Sequence, residues 1–495
     1  MSQQLQIPFN NSYIKLGERF YTPQQPTPVI NPSLFGFNQP LAEKLGLDST
    51  CLRTPEATQV FAGNVIPEGA EPIATVYAGH QFGGWNPQLG DGRAILLGEV
   101  IGSDGIRYDI QLKGAGQTPY SRMGDGRSPL GPVLREYIIS EAMAALGVPT
   151  TRSLAAVTTG EKVLRDTVLP GAILTRVAQS HIRIGTFQYF AVRKDLDALS
   201  RLADHVIQRH YPEILTEEGN HYLALLQAVV EKQAVLVAQW QSIGFIHGVM
   251  NTDNMLISGE TIDYGPCAFM DNYHPEKVYS SIDHGGRYAY RNQPGIAQWN
   301  LVWLAESLVD LLHEDRQQAI AEAQEALNSF VGHYETAYQK VMCRKLGFAE
   351  PSGAAFAQVI SLLELMQHHD LDFTLTFRAL ADSLVDDLSD SQRVSDFYPL
   401  PEEMSKWIEE WQSLVAKTTA RISARQLMDE SNPVFIPRNH LVEEAIQAAT
   451  RNGDFDPFHQ LLAVLARPFE FKAEQQRYAL PPTPDQVVLK TFCGT

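Results

Sequence analysis

The sequence is poor in cysteine and in basic charge. Its 495 residues contain four widely separated cysteines without a Cys-x-x-Cys pair, namely Cys51, Cys267, Cys343 and Cys493. This spacing argues against a zinc site or a disulfide framework, and we expect mostly reduced thiols. Lysine plus arginine number 39 against 57 aspartates plus glutamates, a formal net charge of −18. Binding to a nucleic-acid backbone requires the opposite sign, so we expect no nucleic-acid partner.

Long apolar runs are also missing. No stretch approaches the roughly 18 uncharged residues that cross a bilayer, and residues 1–19 lack a basic region followed by an apolar one. The content of 44% hydrophobic and 19% charged residues is ordinary for globular proteins. We therefore expect a cytoplasmic protein without membrane partners, built from one large or two medium domains.

A glycine-rich turn precedes a predicted β-hairpin. Gly90-Asp91-Gly92-Arg93 leads into the apolar run 94–97, and after a second turn residues 106–113 alternate between apolar and polar. Such alternation next to a Gly/Ser/Asp turn is typical of a hairpin. It places Lys113 on the polar face of the second strand.

A helix follows a second Gly-Asp-Gly-Arg motif at residues 124–127. Pro132 suits its first turn and Gly147 marks its end. Glu136 lies in its early turns, off the apolar stripe.

Further along, residues 222–242 predict a mostly buried helix, and residues 245–254 have the character of a loop. A short hairpin around Ser258-Gly259 is then expected, closed by Asp263-Tyr264-Gly265. Helical patterns dominate from about Trp299 onward.

The order of these parts is more specific than any one of them. A glycine-rich turn, a strand lysine, a helix glutamate, a His-Gly loop ending in asparagine and an Asp-x-Gly motif follow one another as in a protein-kinase-like phosphotransferase. A triphosphate needs backbone N–H groups, a lysine held by a glutamate, and a divalent cation bound by hard oxygen ligands. Here these side chains would be Lys113, Glu136, Asn254 and Asp263.

The catalytic loop departs from the kinase pattern. Kinase-like small-molecule enzymes carry an aspartate after the His-Gly pair, whereas His247-Gly248 is followed by Val249. Either the chain is an inactive nucleotide-binding pseudokinase, or Asp253 has become the general base. The full set of nucleotide and metal residues favours activity, and we expect His247 to brace the loop.

Several long segments resemble the selenoprotein O family, which are protein adenylyltransferases with a pseudokinase fold. These segments are residues 77–83, 89–93, 111–122, 124–128 and 247–255. The resemblance implies an α+β, protein-kinase-like two-lobed fold with an additional N-terminal segment and a helical C-terminal extension. It further implies that ATP binds flipped, so that AMP is transferred to Ser, Thr or Tyr hydroxyls of protein substrates and pyrophosphate leaves.

The same resemblance implies roles for individual residues. Asp253 would be the base, and Asn254 and Asp263 would bind Mg²⁺ or Mn²⁺. The remaining ATP-binding set would be Gly90, Gly92 and Arg93 in the glycine loop, Lys113 backed by Glu136, Asp125 and Gly126 completing the pocket, and Arg176 and Arg183 clamping the phosphates.

Four regions are expected. Residues 1–76 would form an extension that packs on the core, 77–190 a nucleotide-binding region, 191–300 a catalytic region, and 301–495 a mainly helical region with a reactive-cysteine tail. Two other functions stay open from the sequence: a kinase that moves the γ-phosphoryl group, and an inactive nucleotide-binding scaffold.

The tail suggests redox control. Family members often end in cysteine or selenocysteine followed by two serines, whereas this chain ends Cys493-Gly494-Thr495. Cys267 lies just after Asp263-Tyr264-Gly265. Our hypothesis is that oxidation pairs Cys493 with Cys267 and makes activity depend on reducing conditions.

Overall fold

A computed structural model describes residues 6–48, 52–216, 218–384 and 393–491. Within these ranges the chain is a mixed α/β protein whose C-terminal part is helical, as predicted. The strands are β1 (Tyr21–Pro23), β2 (Ser33–Phe37), β3 (Ile73–Thr75), β4 (Gly79–Gln81), β5 (Gly84–Asn86), β6 (Ala94–Ile101), β7 (Arg107–Lys113), β8 (Ser128–Pro129), β9 (Arg152–Leu164), β10 (Val168–Ala178), β11 (Phe245–Ile246) and β12 (Ala268–Phe269).

The helices in the same ranges lie mostly after residue 180. They are α1 (Gln39–Lys44), α2 (Pro55–Phe61), α3 (Leu130–Ala145), α4 (Ile184–Val192), α5 (Leu196–His210), α6 (His221–Ser242), α7 (Gln293–Leu312), α8 (Arg316–Lys345), α9 (Gly353–His368), α10 (Phe373–Asp382), α11 (Ser405–Thr418), α12 (Arg421–Ser431), α13 (Asn439–Asn452) and α14 (Asp456–Leu465). None of these helices is long and apolar enough to cross a membrane.

An eight-stranded antiparallel sheet is built from strands that lie between Tyr21 and Ala178. Its order is β1-β3-β6-β7-β10-β9-β2, and β8 pairs with β10. The predicted hairpin is confirmed as β6 and β7, in which Ala94 lies opposite Lys113. Strands from the first 76 residues occupy both edges, so this segment is part of the sheet.

Helix α3 lies between the sheet and the C-terminal helices. The prediction of this helix is confirmed, with Pro132 near its start and Gly147 just beyond its end. On one side α3 packs on β9 and β10, and on the other on α13 and α14. Arg135 forms an ion pair with Glu443 and donates to Asn439 Oδ1 at 2.9 Å. The helix that carries Glu136 is therefore fixed from both sides.

The other helical predictions also agree with the structure. The helix predicted for residues 222–242 is α6, and the helical patterns that begin near Trp299 belong to α7 and α8. These helices share one core with α4, α5 and the loop after β11. A second core joins α8 to α9–α12.

The hairpin predicted around Ser258-Gly259 is wrong. Leu256 pairs with Arg183, and Thr261 pairs in parallel with Thr150. Two or three residues on each side of a turn bury too little surface to hold a hairpin alone, so each side pairs with a neighbouring loop instead. This pairing brings the segment that carries Asn254 and Asp263 against the residues that follow β10.

The C-terminal tail returns to the same region. Thr491 pairs in parallel with Ser280, and its Oγ1 donates to the carbonyl of Pro266 at 2.6 Å. Cys267, the next residue after Pro266, is fully buried. Cys493, the other cysteine of the redox hypothesis, lies outside the described residues.

Candidate active site

A cavity of about 700 Å³ lies between the sheet, α3 and the segment 249–266. Every residue that the sequence analysis assigned to the site lines this cavity, although these residues span 174 positions of sequence from first to last. They are Gly90, Gly92, Arg93, Lys113, Asp125, Gly126, Glu136, Arg176, Arg183, Asp253, Asn254 and Asp263.

Four charged side chains form an ion-pair cluster in the wall of the cavity. Lys113 Nζ donates to Glu136 Oε2 at 2.6 Å and to Asp263 Oδ1 at 2.8 Å. Arg176 Nη1 reaches the same two carboxylates, at 3.1 Å from Glu136 Oε1 and 2.8 Å from Asp263 Oδ1. The predicted lysine–glutamate pair therefore exists, and Arg176 bonds to the same two carboxylates as Lys113.

Sheet register explains where these cations lie. Lys113 ends β7, and Arg176 lies on the adjacent strand β10, opposite Gln111. Gln111 Oε1 accepts from Arg176 Nη2 at 2.7 Å and from Nε at 3.2 Å. The neighbouring strand thus fixes the guanidinium.

Asp263 has a left-handed backbone, with φ of 62°. A non-glycine residue in this conformation is uncommon and is concentrated at functional sites. The conformation turns the chain just after its pairing with Thr150 and delivers the Asp263 carboxylate to Lys113 and Arg176.

Arg183 is also buried, and only some of its guanidinium N–H groups have hydrogen-bond partners among the described residues. Its Nη1 donates to the Asp253 carbonyl at 2.8 Å, and its guanidinium lies 4.3 Å from the Tyr77 ring centroid. Its Nη2 is buried without a hydrogen-bond partner among the described residues, 3.9 Å from Asp91 Oδ1. A buried donor of this kind is suited to an anionic ligand.

Asp253 and Asp263 occupy opposite electrostatic environments. Burial raises the pKa of Asp253 to about 6, although a hydrogen bond from Gln81 Nε2 (3.0 Å) opposes this shift. Asp253 Oδ1 is buried without a hydrogen-bond partner in the described chain. Burial also acts on Asp263, but the charges of Lys113 and Arg176 hold its pKa well below the usual range. Separated pKa values suit one carboxylate to proton transfer and the other to charge binding.

The loop that carries these groups is braced internally. His247 Nε2 lies 2.8 Å from the Ile262 carbonyl and is fully buried, in agreement with the predicted structural role. Asn254 Nδ2 donates to the Val249 carbonyl at 3.0 Å. The amide orientation set by this bond makes Oδ1 the Asn254 atom available to a cation.

Glu260 joins the two segments of the site. Its Oε2 accepts from the Gln179 backbone N–H and from Ser258 Oγ, both at 2.9 Å. Burial raises the pKa of Glu260 to about 7, against the effect of these bonds. The link holds the chain that leads to Asp263 beside the chain that leads to Arg183.

The first glycine turn packs tightly against Tyr120. Gly90 has φ of 84°, and a Cβ there would lie 2.4 Å from Tyr120 Cγ. A Cβ on Gly92 would lie 2.9 Å from the Tyr120 carbonyl oxygen. The Arg93 carbonyl accepts from Gly114 N–H at 2.7 Å, which joins the turn to the end of β7. Side chains larger than hydrogen would displace this part of the cavity wall.

The second motif holds a different contact. Gly126 has φ of 67°, and a Cβ there would lie 2.0 Å from the Gly116 carbonyl oxygen. Asp125 receives two hydrogen bonds from Arg165, at 2.8 and 3.0 Å. Asp125 is thus an anchored carboxylate at the outer part of the cavity.

The donor set fits a divalent cation that arrives with a phosphate ligand. In the described ranges no group of three or more His, Cys, Asp or Glu side chains is arranged to hold a metal ion. Mg²⁺ is usually bound through one or two carboxylates together with substrate phosphates. Asn254 and Asp263, which both line the cavity, supply oxygen donors of the right type.

Three residues near the site were not singled out from the sequence. Gln81 bonds Asp253, and Gln111 holds Arg176. Asp91 is buried, and its Oδ2 accepts from Thr75 Oγ1 at 2.6 Å. All three lie inside segments that resemble the selenoprotein O family, and this resemblance is the sequence signal that could have identified them.

Proteins similar to this chain along nearly its whole length are nucleotidyltransferases. The protein nucleotidyltransferase YdiU of Bradyrhizobium diazoefficiens is 56% identical over 490 residues, 99% of each chain. The protein of the same name from Rhizobium etli is 55% identical over 488 residues, 98% of this chain and 97% of its own. The one from Rhodopseudomonas palustris is 56% identical over 492 residues, 99% of each chain. The cavity thus lies in a nucleotidyltransferase.

A family model narrows this class. The model described as Protein adenylyltransferase SelO matches residues 3–466. The chain belongs to this family. The family, the enzyme class and the adenylyltransferase activity expected from the sequence motifs are thereby confirmed.

Proposed function

We propose that this chain transfers AMP from a flipped ATP to Ser, Thr or Tyr hydroxyls of protein substrates, in a kinase-like two-lobed arrangement. In this proposal residues 77–190 supply the nucleotide-binding walls and 191–300 supply Asp253, Asn254 and Asp263. Residues 1–76 extend the sheet, and 301–495 support α3 from behind. The family membership supports the reaction, and the geometry of the cavity supports the orientation of ATP.

The observation that carries the proposal is the burial of the cations. The side chains of Arg183, Arg176 and Lys113 are 2%, 3% and 12% exposed. The β- and γ-phosphates carry most of the charge of ATP, so they are best bound at this buried end. The α-phosphorus then faces the open side, where an acceptor hydroxyl can approach. A kinase would need the γ-phosphate there instead.

The chemical step follows from this orientation. Asp253 takes the proton of the acceptor hydroxyl, and the hydroxyl oxygen attacks the α-phosphorus. The bond from the α-phosphorus to the bridging oxygen breaks, and pyrophosphate leaves with that electron pair. Arg183 Nη2, the buried donor without a partner in the described residues, and Lys113 Nζ bind the charge that gathers on pyrophosphate.

The remaining residues hold the ligand or position these groups. Gly90, Gly92 and Arg93 would approach the nucleotide through backbone, with Asp125 and Gly126 on the outer side. Arg176 and Glu136 keep Lys113 and Asp263 in place. Asn254 and Asp263 would hold Mg²⁺ or Mn²⁺, which when bound neutralises part of the phosphate charge.

Labelling with ATP that carries the radiolabel on either the α- or the γ-phosphate tests the proposal. Label from α-phosphate on protein is the expected result. Label from γ-phosphate on protein or a small acceptor would mean a kinase, and no label from either would mean a scaffold. Asp263→Asn should abolish labelling. Asp310→Asn, which changes the same charge at an exposed site on α7, is the matched control.

A further inference from the structure

A second cavity has a volume of about 450 Å³. Its lining is Arg287, Arg291, Asn292, Gly295 and Ile296, and we call it the arginine pocket. Tyr288, next to Arg287, donates its hydroxyl to Asn251 Oδ1 at 2.8 Å, and Asn251 lines the nucleotide cavity. The residue that follows Arg287 is therefore hydrogen-bonded to the lining of the nucleotide cavity, which makes the two cavities neighbours.

Arg287 is held in position but has unused donors. The Asp283 carboxylate accepts from the backbone N–H of Arg287 at 2.9 Å and from that of Tyr288 at 2.8 Å. The Arg287 guanidinium lies 4.6 Å from the Trp299 ring centroid. Its Nε and Nη2 atoms are buried and have no hydrogen-bond partner within the described ranges. Buried donors of a charged group are costly to leave unpaired, so this arrangement suits an anionic ligand.

The rest of the arginine pocket adds positive charge. Arg291 Nη1 lies 2.6 Å from Glu276 Oε1, but the two side chains are 61% and 46% exposed. An exposed pair of this kind contributes little to stability, so a ligand can replace Glu276 at little cost. Asn292 is the N-cap of α7, so the positive end of that helix dipole lies at the arginine pocket.

We propose that the arginine pocket binds an acidic side chain of the protein substrate, close in sequence to the acceptor hydroxyl. This inference rests on the proposed function, because that function brings a protein segment to the open side of the nucleotide cavity. Phe82, which lines the nucleotide cavity, packs on Tyr288, and the two ring centroids are 5.1 Å apart. The pocket is thus placed to recognise the acceptor segment rather than ATP, in a chain whose own net charge is −18.

Binding of two labelled peptides tests the inference without any transfer reaction. Both carry one central serine, which is flanked by aspartates in one peptide and by asparagines in the other. Fluorescence anisotropy should show tighter binding of the acidic peptide to the wild-type protein. Arg287→Gln and Arg291→Gln should each weaken that binding by about tenfold, the value of one charge-assisted hydrogen bond, and leave the neutral peptide unaffected.

Glu276→Gln should change the affinity for the acidic peptide in the opposite direction. It removes the carboxylate that competes for Arg291, so acidic-peptide binding should become tighter, which a merely structural role of Arg291 would not produce. Arg451→Gln and Glu409→Gln, exposed on α13 and α11, are the matched controls and should change nothing. If Arg287→Gln does not fold, the exposed Arg291 and Glu276 variants still decide the result.

Three outcomes of the peptide-binding experiment would overturn the inference. They are failure of the acidic peptide to bind, equal binding of both peptides, and a preference that survives the arginine variants. Binding of inorganic phosphate without the acidic peptide would likewise remove the peptide assignment. In the labelling assay Arg291→Gln should raise KM for the acidic peptide with kcat unchanged. Loss of α-label transfer by the wild type would refute the proposed function instead, so the two failures are distinguishable.

Discussion

Replacing Asp263 by asparagine should end AMP transfer and also weaken the fold. The carboxylate is shared by Lys113 and Arg176, both at 2.8 Å. Removing one partner of a buried ion pair costs about 3–5 kcal/mol. Here Glu136 stays bonded to both cations, and Asp263 is 25% exposed, so we expect a loss of about 2 kcal/mol in the free energy of unfolding.

Asp263→Ala should lower the free energy of unfolding more than Asp263→Asn does, because residue 263 has a left-handed backbone conformation. Asparagine tolerates the left-handed φ of 62° at this position, whereas alanine pays about 1 kcal/mol more. Urea unfolding of the nucleotide-free protein, followed by tryptophan fluorescence, measures both losses. Asp310→Asn, from an exposed pair with Arg316, should stay within about 0.5 kcal/mol of wild type.

A double-mutant cycle with Lys113→Met isolates the pair. Since Glu136 keeps its bond to Arg176 in Lys113→Met, we expect this change to cost about 2 kcal/mol. The double variant should lose at least about 1 kcal/mol less than the sum of the two single losses. Additive losses, or an Asp263→Asn protein that unfolds at the urea concentration of wild type, would refute the ion-pair reasoning.

Three further predictions concern other parts of the site. Asp253→Asn should lower kcat by about 10² to 10⁴ and leave ATP affinity, measured by calorimetry, nearly unchanged; loss of both would make Asp253 a metal or structural group. Between pH 4.5 and about 7 the folded protein keeps a proton on Glu260 that the unfolded chain has lost, so the contribution of Glu260 to the free energy of unfolding should fall as pH rises, by about 3 kcal/mol. Urea titrations of wild type and Glu260→Gln should show this contribution as a pH-dependent difference between the two proteins, and equal slopes would contradict the assignment. Mass spectrometry of the oxidised protein should find a Cys267–Cys493 crosslinked peptide, and Cys493→Ser should remove any dependence of activity on reductant; a variant that responds as wild type does would rule this pairing out.

The elements that could be predicted are those with local signals. Strand alternation and the flanking turns predicted the β6–β7 hairpin, and Pro132 with Gly147 bounded α3. The prediction of a hairpin around Ser258-Gly259 was wrong because the pairing partners of this segment, Arg183 and Thr150, are distant in sequence. Local alternation contains no information about such partners.

The candidate site likewise contains features that the sequence could predict and features that it could not. Residue types and motif order predicted the lysine–glutamate pair, which spans 23 positions. They could not show that Arg176 would share Glu136 and Asp263, since this depends on the register of β10 against β7. Nor could they identify Gln81, whose bond to Asp253 joins residues 172 positions apart.

The geometry of the cavity is compatible with Val249 in place of the usual catalytic aspartate. Position 249 still acts through its backbone, because the Val249 carbonyl accepts from Asn254 Nδ2 and orients that amide. The reaction that we propose needs a carboxylate in the same cavity, and Asp253 presents one there with a buried oxygen and a pKa raised to about 6. A second carboxylate on residue 249 would line the same cavity, and its like charge would raise the pKa of Asp253 further. We therefore expect Val249→Asp to lower the rate of AMP transfer near neutral pH rather than restore a kinase, and α- and γ-label transfer by that variant would decide between the two outcomes.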